Sequence, residues 1–332
     1  MLLHRGSDVR ATPPEPPAPT ASGATAVVHV LYRYTESVGR KPRPDYFSKE
    51  LALRSFVQAL QPVRDDITVT FLVDGAVSAE VGALMDAAGE VRRGHWNSNR
   101  ASYAAQLRLA TGLQADVIWF AEDDYLYAPH ALRALVTAVR ELPRVSWFAL
   151  SGPTPLERLE LRRAQSAVPL PRSKRWREGA RAIDGSAQWR RIDSTTSTFG
   201  GRPHAIRRDR WLLRLCPWSG AAWDRTTCLA LQGATPYPWR YLLSDLLPPS
   251  TPRPRRSARV AWRIVTRIAV NLAARTRRPH REVLVAPTVP LVGHMDLPYE
   301  SDPERWHALA AGVATRSKSR DSNRQLAPLR AR

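Results

Sequence analysis

The chain has 332 residues, with 50 lysines and arginines against 30 acids and a formal net charge of +20. A hydrophobic content of 43% with 11 tryptophans is enough for a sizeable core and excludes a fully disordered chain. The charge is uneven: residues 1–150 hold 16 basic and 16 acidic side chains and residues 151–332 hold 34 and 14, which excludes a uniformly basic, histone-like chain.

Residues 1–24 read as a disordered leader, because five prolines between Thr12 and Pro19 block both helix and central strand. Residues 25–150 then alternate strand and helix. Ala26–Tyr32, Ile67–Val73 and Asp116–Ala121 are apolar, β-branched runs that suit strands buried on both faces. Ser48–Leu60, Ser78–Ala88, Ala101–Thr111 and Pro129–Glu141 carry helical spacing between and after them, and Val145–Leu150 reads as a further strand. Strands separated by helices predict a parallel sheet with right-handed crossovers.

Residues 151–315 are less regular. Arg158–Arg191 reads as a basic surface excursion, Asp193–Ile206 as short apolar runs around Gly200-Gly201, and Val283–Val292 as a strand interrupted by prolines. Arg255–Arg278 is a candidate amphipathic helix: Val260, Ile264, Ile268 and Leu272 recur every four residues beside a stripe of Arg255, Arg259, Arg263 and Arg267. Residues 316–332 form a short basic tail with little apolar content. Cys216 and Cys228 make neither a disulfide framework nor a zinc site and read as reduced thiols. No run reaches the roughly 18 apolar residues of a membrane span, so a cytoplasmic protein is expected, at most peripheral at the inner face of a membrane.

Ligands of open α/β sheets bind outside the carboxyl ends of the strands. Three strands here end in polar residues: Arg33 after the first, Asp74 after the second and Glu122-Asp123-Asp124 after the third. Three successive carboxylates repel one another unless a cation or solvent neutralises them. They can hold a divalent ion that bridges to nucleotide phosphates, for which hard oxygen ligands suit Mg²⁺ or Mn²⁺; a solvated acidic loop is the plainer reading. Later in the chain, Asp224 could cap a helix from Arg225 to Leu231, and His294 stands alone in Gly293-His294-Met295-Asp296.

As an ordered set over roughly residues 26–140, these segments resemble the GT-A glycosyltransferases, family-2-like and nucleotide-sugar dependent. Val117-Ile118-Trp119-Phe120-Ala121 followed by Glu122 and Asp124 resembles the hydrophobic strand and D-x-D type motif, with Glu122 in place of the first Asp. Phe71-Leu72-Val73-Asp74-Gly75 resembles the second-strand end, and Gly94–Asn99 the loop before the helix that precedes the motif. The family's Asn and Glu after the first strand have only Thr35-Glu36 as a nearest match. The resemblance implies a GT-A, Rossmann-like mixed sheet flanked by helices, with Mn²⁺ or Mg²⁺ as cofactor. It implies Glu122, Asp124 and His294 as metal ligands, Arg33, Asp74, Asn97 and Asp123 as donor-binding residues, and Asp224 as the base that deprotonates the acceptor. The implied reaction moves a sugar from a nucleotide-diphosphate donor to a glycan or lipid-linked acceptor with inversion. Ser197–Gly201 would line the sugar pocket, its glycines admitting backbone close to the ligand.

Two other classes compete. The basic half, with Trp176, Trp189, Trp211, Trp218 and Trp239, could bind nucleic acid, but it has no helix-turn-helix, zinc-finger or RNA-binding signature and leaves the acidic strand end unexplained. A nucleotidyltransferase on a similar sheet would use the same acids, yet no Gly-rich basic loop follows the first strand. The arginine-striped helix suits either an anionic membrane surface or a place on the core with its basic face in solvent.

Overall fold

The computed structural model describes residues 27–39, 42–152, 181–183, 187–192, 194–195, 198–220, 223–237, 242, 254–277, 283–295 and 302–326. The leader 1–24, most of the basic excursion, Trp176, Trp239 and Asp296 lie outside these. Strands β1 (Val28–Thr35), β2 (Ile67–Asp74), β3 (Glu90–Gly94), β4 (Val117–Ala121) and β6 (Trp147–Ala149) alternate with helices α1 (Lys49–Leu60), α2 (Ala79–Ala88), α3 (Asn99–Ala110) and α4 (Ala131–Glu141), and short strand β5 (Tyr125–Tyr127) follows β4. The second half adds β7 (Arg181–Ile183), β8 (Ala187–Arg191), β9 (Phe199–Gly201), β10 (Leu284–Pro287) and β11 (Val292–His294). Its helices are α5 (Pro203–Leu215), α6 (Trp223–Leu231), α7 (Pro254–Arg275) and α8 (Pro303–Leu326).

The starts of α1, α2 and α3 follow from serines. The hydroxyls of Ser48, Ser78 and Ser98 accept from the backbone N–H of Leu51, Val81 and Ala101 at 3.2–3.3 Å, which satisfies one of the free donors at each helix start. A nine-stranded sheet runs β3-β2-β1-β4-β9-β6-β10-β8-β7. β1 pairs in parallel with both β2 and β4, and β3 with β2, while β9 is antiparallel between β4 and β6. This is the mixed, mostly parallel sheet flanked by helices that the sequence predicts. Side chains alternate across it. Val30, Tyr32, Phe71 and Trp119 pack under α1, α2 and α4; Leu31, Ile118, Phe120 and Trp147 pack under α3, α5, α6 and α7.

Several elements differ from expectation. β3 has the sequence EVRRG, with no apolar alternation to mark it, and owes its strand to pairing along the edge of β2. The Val283–Val292 run splits: β10 joins the main sheet beside β6, and β11 pairs antiparallel with β5 in a second, two-stranded sheet. Part of the basic excursion, residues 187–191, pairs with β10, and Trp189 is buried there. Gly200 and Gly201 sit inside the main sheet, where a Cβ would lie 2.7 Å from Trp119 and 2.3 Å from Trp147. Close packing of two indoles, not approach to a ligand, is what these glycines serve. α8 continues through Leu326, into the segment expected to be a tail; Trp306, Ala310 and Val313 bury its inner side near Leu126 and Met295.

α7 turns the described part of its basic stripe inward; the side chains of Arg255 and Arg259 lie outside the described residues. Arg267 is buried, donating from Nε to the Ser219 carbonyl at 3.0 Å with its guanidinium over Tyr237, whereas Trp262, Val265, Ile268 and Leu272 are exposed. Cys216 and Cys228 are free and buried, and burial pushes the Cys216 thiol up to about 12. No helix among the described residues is long and apolar enough to cross a membrane.

Candidate active site

The sheet's strand order reverses at β1, whose neighbours on its two sides are β2 and β4. The register brings their carboxyl ends level: Thr35 lies opposite Asp74, Asp74 opposite Gly94, and Tyr32 opposite Ala121. The residues that follow must therefore converge, and they surround a cavity of about 710 Å³. Arg33, Asp74, Asn97, Glu122, Asp123, Asp124, Asp224 and His294 all line it, whereas Thr198–Gly201, expected at the sugar pocket, do not, and Ser197 lies outside the described residues.

Each carboxylate of the triplet takes a different cation of the chain. Glu122 Oε1 accepts from Arg33 Nη2; Asp123 Oδ2 accepts from Lys49 Nζ at 2.9 Å; Asp124 Oδ2 faces Arg43 at 3.2 Å. The repulsion expected of the triplet is thus offset from within. Lys49 Nζ also donates to the carbonyls of Thr35 (2.6 Å) and Ser37 (2.8 Å), so its three N–H groups are all spent on tying the chain after β1 to Asp123. Arg33 Nη1 donates to the Asn99 carbonyl and the Ser102 hydroxyl, which locks β1 to the start of α3. Arg43 Nη1 donates to the Met295 carbonyl at 2.6 Å, and its guanidinium rests 4.5 Å from the centre of the Phe47 ring.

The second half delivers its residues through backbone pairing. β11 pairs with β5 so that His294 lies opposite Tyr125, and the Met295 N–H donates to the Asp124 carbonyl at 3.0 Å. The His294 ring stacks on Tyr125 with centroids 4.6 Å apart, and its Nε2 stands 3.3 Å from Asp124 Oδ2. Asp224 enters in the first turn of α6, which begins at Trp223 rather than after the aspartate. Asp74 Oδ1 accepts from the N–H groups of Trp96 (2.7 Å) and Asn97 (3.3 Å) and shapes the turn in which Asn97 adopts φ +52°.

These environments push the acids apart. Burial raises Glu122 to about 7 despite Arg33, with Asp124 and Asp224 adding repulsion. Burial also raises Asp123, partly offset by Lys49. For Asp124, burial is outweighed by the hydrogen bond and charge of His294 together with Arg43, which hold its carboxyl far below the usual range.

The donor set for a divalent ion is partial. Asp124 Oδ1 is buried without a hydrogen-bond partner, and His294 Nε2 stands beside the same carboxylate. An orphaned carboxylate oxygen with a neighbouring imidazole fits a metal that completes its shell with water and phosphate oxygens, and the nitrogen favours Mn²⁺ over Mg²⁺. Glu122 is turned onto Arg33, and among the described residues no three His, Cys, Asp or Glu side chains are grouped to hold a metal.

Sequence reasoning missed Lys49, Arg43, Asn99 and Ser102. Lys49 carried a faint signal, being one of only four lysines among 46 arginines. The other three have no mark in the sequence, since their roles exist only once β1, α3 and the 42–48 loop meet.

No family model matches the chain, and no curated protein matches it by sequence. Solved structures similar to it include CMP:2-keto-3-deoxy-manno-octonic acid synthetase complexed with CTP, 13% identical over 88% of this chain and 100% of that one, TM-score 0.36. The S. aureus TarS fragment is 8% identical over 73% and 72%, TM-score 0.38. The mannosyltransferase PcManGT from Pyrobaculum calidifontis, in complex with GDP-Man and Mn²⁺, is 11% identical over 77% of each chain, TM-score 0.37. The likeness is one of sheet and helix arrangement alone.

Proposed function

We propose that the chain is a glycosyltransferase that moves a sugar from a nucleotide-diphosphate donor to the hydroxyl of a glycan or lipid-linked acceptor, with inversion. The observation that supports this best is the meeting, in one cavity at the sheet's switch point, of the acidic triplet from the first half with Asp224 and His294 from the second. Asp74 and the turn at Asn97 form the wall for the nucleoside, at the exit of β2. Asp224, in the first turn of α6, takes the proton of the acceptor hydroxyl as its oxygen attacks the anomeric carbon. The bond from that carbon to the donor phosphate breaks, and its electron pair leaves with the nucleoside diphosphate. Asp124 and His294 are the residues that would hold a divalent ion, which when bound supplies positive charge beside the leaving diphosphate. Arg33, Arg43 and Lys49 keep the three carboxylates in place beneath it.

A thermal-shift panel of UDP-, GDP- and TDP-sugars, each with and without Mn²⁺, tests class, metal and donor together. One nucleotide series is expected to raise the melting temperature only with Mn²⁺, and Asp124→Ala to abolish that rise. If no nucleotide sugar shifts the protein, or if Asp124→Ala retains the metal-dependent shift, the reading is wrong.

A further inference from the structure

Among the described residues, eight large hydrophobic side chains are exposed, and four of them, Trp262, Val265, Ile268 and Leu272, belong to α7. With Ala258 and Ala261 they form one stripe at three- and four-residue spacing along about four turns of helix. The opposite side of α7 buries Val270, Ala273 and Ala274 in the core together with arginine groups that a soluble helix would normally show to water. Arg267 is buried on Ser219 and Tyr237, Arg263 is half-buried, and its Nε is so close to Gly220 that a Cβ there would stand 2.9 Å away. Arg263 and Arg267 anchor the helix to the protein, and the Trp262–Leu272 stripe is left outward.

The surroundings select the occupant. α7 has no acidic residue, and Arg275 is exposed at its end. α5 packs against it and exposes Arg207, Arg208, Arg210 and Arg214, while its one acid, Asp209, is fully buried in ion pairs with Arg208 and Arg277. An apolar stripe with a tryptophan, flanked by arginines and no exposed acid, complements a surface that is anionic at its heads and apolar just beneath. A second copy would bring like-charged flanks together. A nucleic acid would match the arginines but not the aliphatic Val265, Ile268 and Leu272.

We infer that α7 docks this protein on an anionic phospholipid bilayer, its Trp262–Leu272 stripe entering the headgroup boundary. From its inward side α7 also holds the Ser219–Gly220 turn, which precedes α6 and its Asp224.

The test is co-sedimentation of the full chain with vesicles of phosphatidylcholine alone or mixed with phosphatidylglycerol, without nucleotide, so that its outcome is independent of donor binding. The expected result is binding to the phosphatidylglycerol vesicles only, weakened by salt. The double variant Val265→Glu/Leu272→Glu should lower the partition coefficient by roughly tenfold or more with no change in melting temperature or elution volume. Leu272→Ser, a milder change, should weaken binding in the same direction and serves should the double variant not fold. The inference is overturned if the wild-type protein ignores anionic vesicles or if both variants bind as it does. It is equally overturned if the folded double variant elutes as a smaller species than the wild type, since a second copy would then be covering the stripe. Single-stranded DNA that displaces the vesicles and loses affinity in the same variants would assign the face to nucleic acid.

Discussion

Asp224 and Lys49 show how two charged side chains on one cavity can have opposite duties. Asp224 lines the cavity and is the base of the proposed reaction, so Asp224→Asn is expected to cut kcat by about 10²–10⁴-fold while nucleotide affinity stays within roughly twofold. Single-turnover kinetics beside calorimetric titration would separate the two quantities. Lys49 is a positioning residue: its ammonium holds Asp123 and two carbonyls, and it is 9% exposed. Lys49→Met leaves the Asp123 carboxylate buried without its partner and should cost about 3–5 kcal/mol in urea unfolding. Adding Asp123→Asn should restore part of that loss, because an amide needs no counter-ion yet still accepts from Thr35. An arginine could not replace Lys49, since its planar fork cannot point three donors at a carboxylate and two carbonyls around one nitrogen.

At the scale of elements, β9 is the hinge of the architecture. It brings residues 199–201 of the second half between β4 and β6 of the first, and it fits only because two glycines give their Cβ space to Trp119 and Trp147. Gly201→Ala should destabilise the protein by about 1–3 kcal/mol, as overpacking against a buried indole does. Gly112→Ala, whose nearest neighbour would be 3.8 Å away, should stay within about 0.5 kcal/mol. Parallel denaturant curves for the two variants check this contrast. The strands β1, β2 and β4 were legible in sequence because each is buried on both faces and reads as an apolar run. β3 was not, because an edge strand needs no apolar alternation, and neither was the split of Val283–Val292, where pairing partners decide which sheet each half joins.

For the whole molecule, pH dependence has contributors outside the cavity as well as in it, and His29 is buried with Nε2 at 2.9 Å from the Thr70 hydroxyl. Burial lowers it to about 4 from its ordinary 6.5. Between those values the unfolded chain binds the proton that the fold refuses, so this share of stability is present above about 6.5 and is lost as the pH falls toward 4. The raised Glu122 acts with the opposite sign between about 4.5 and 7, where the fold keeps the proton that the unfolded chain loses, so the His29 share is read as a difference: the melting-temperature gap between wild type and His29→Leu should narrow as the pH falls from 6.5 toward 4. The sequence alone determined that the chain is an α/β protein with a neutral, regular first half, and that its polar strand ends gather at one edge of the sheet, because helical and strand periodicities are local and the crossover rule is general. With the family resemblance it also named eight of the residues that line the cavity, but not Arg43, Lys49, Asn99 or Ser102. Only the tertiary structure decided which charge answers which: that Arg33, Lys49 and Arg43 each hold one carboxylate, and that Arg263 and Arg267 of α7 turn inward while Trp262, Val265, Ile268 and Leu272 are left in water. The three ion pairs join residues 74 to 89 apart in the chain, and no spacing in a single sequence encodes who such neighbours are.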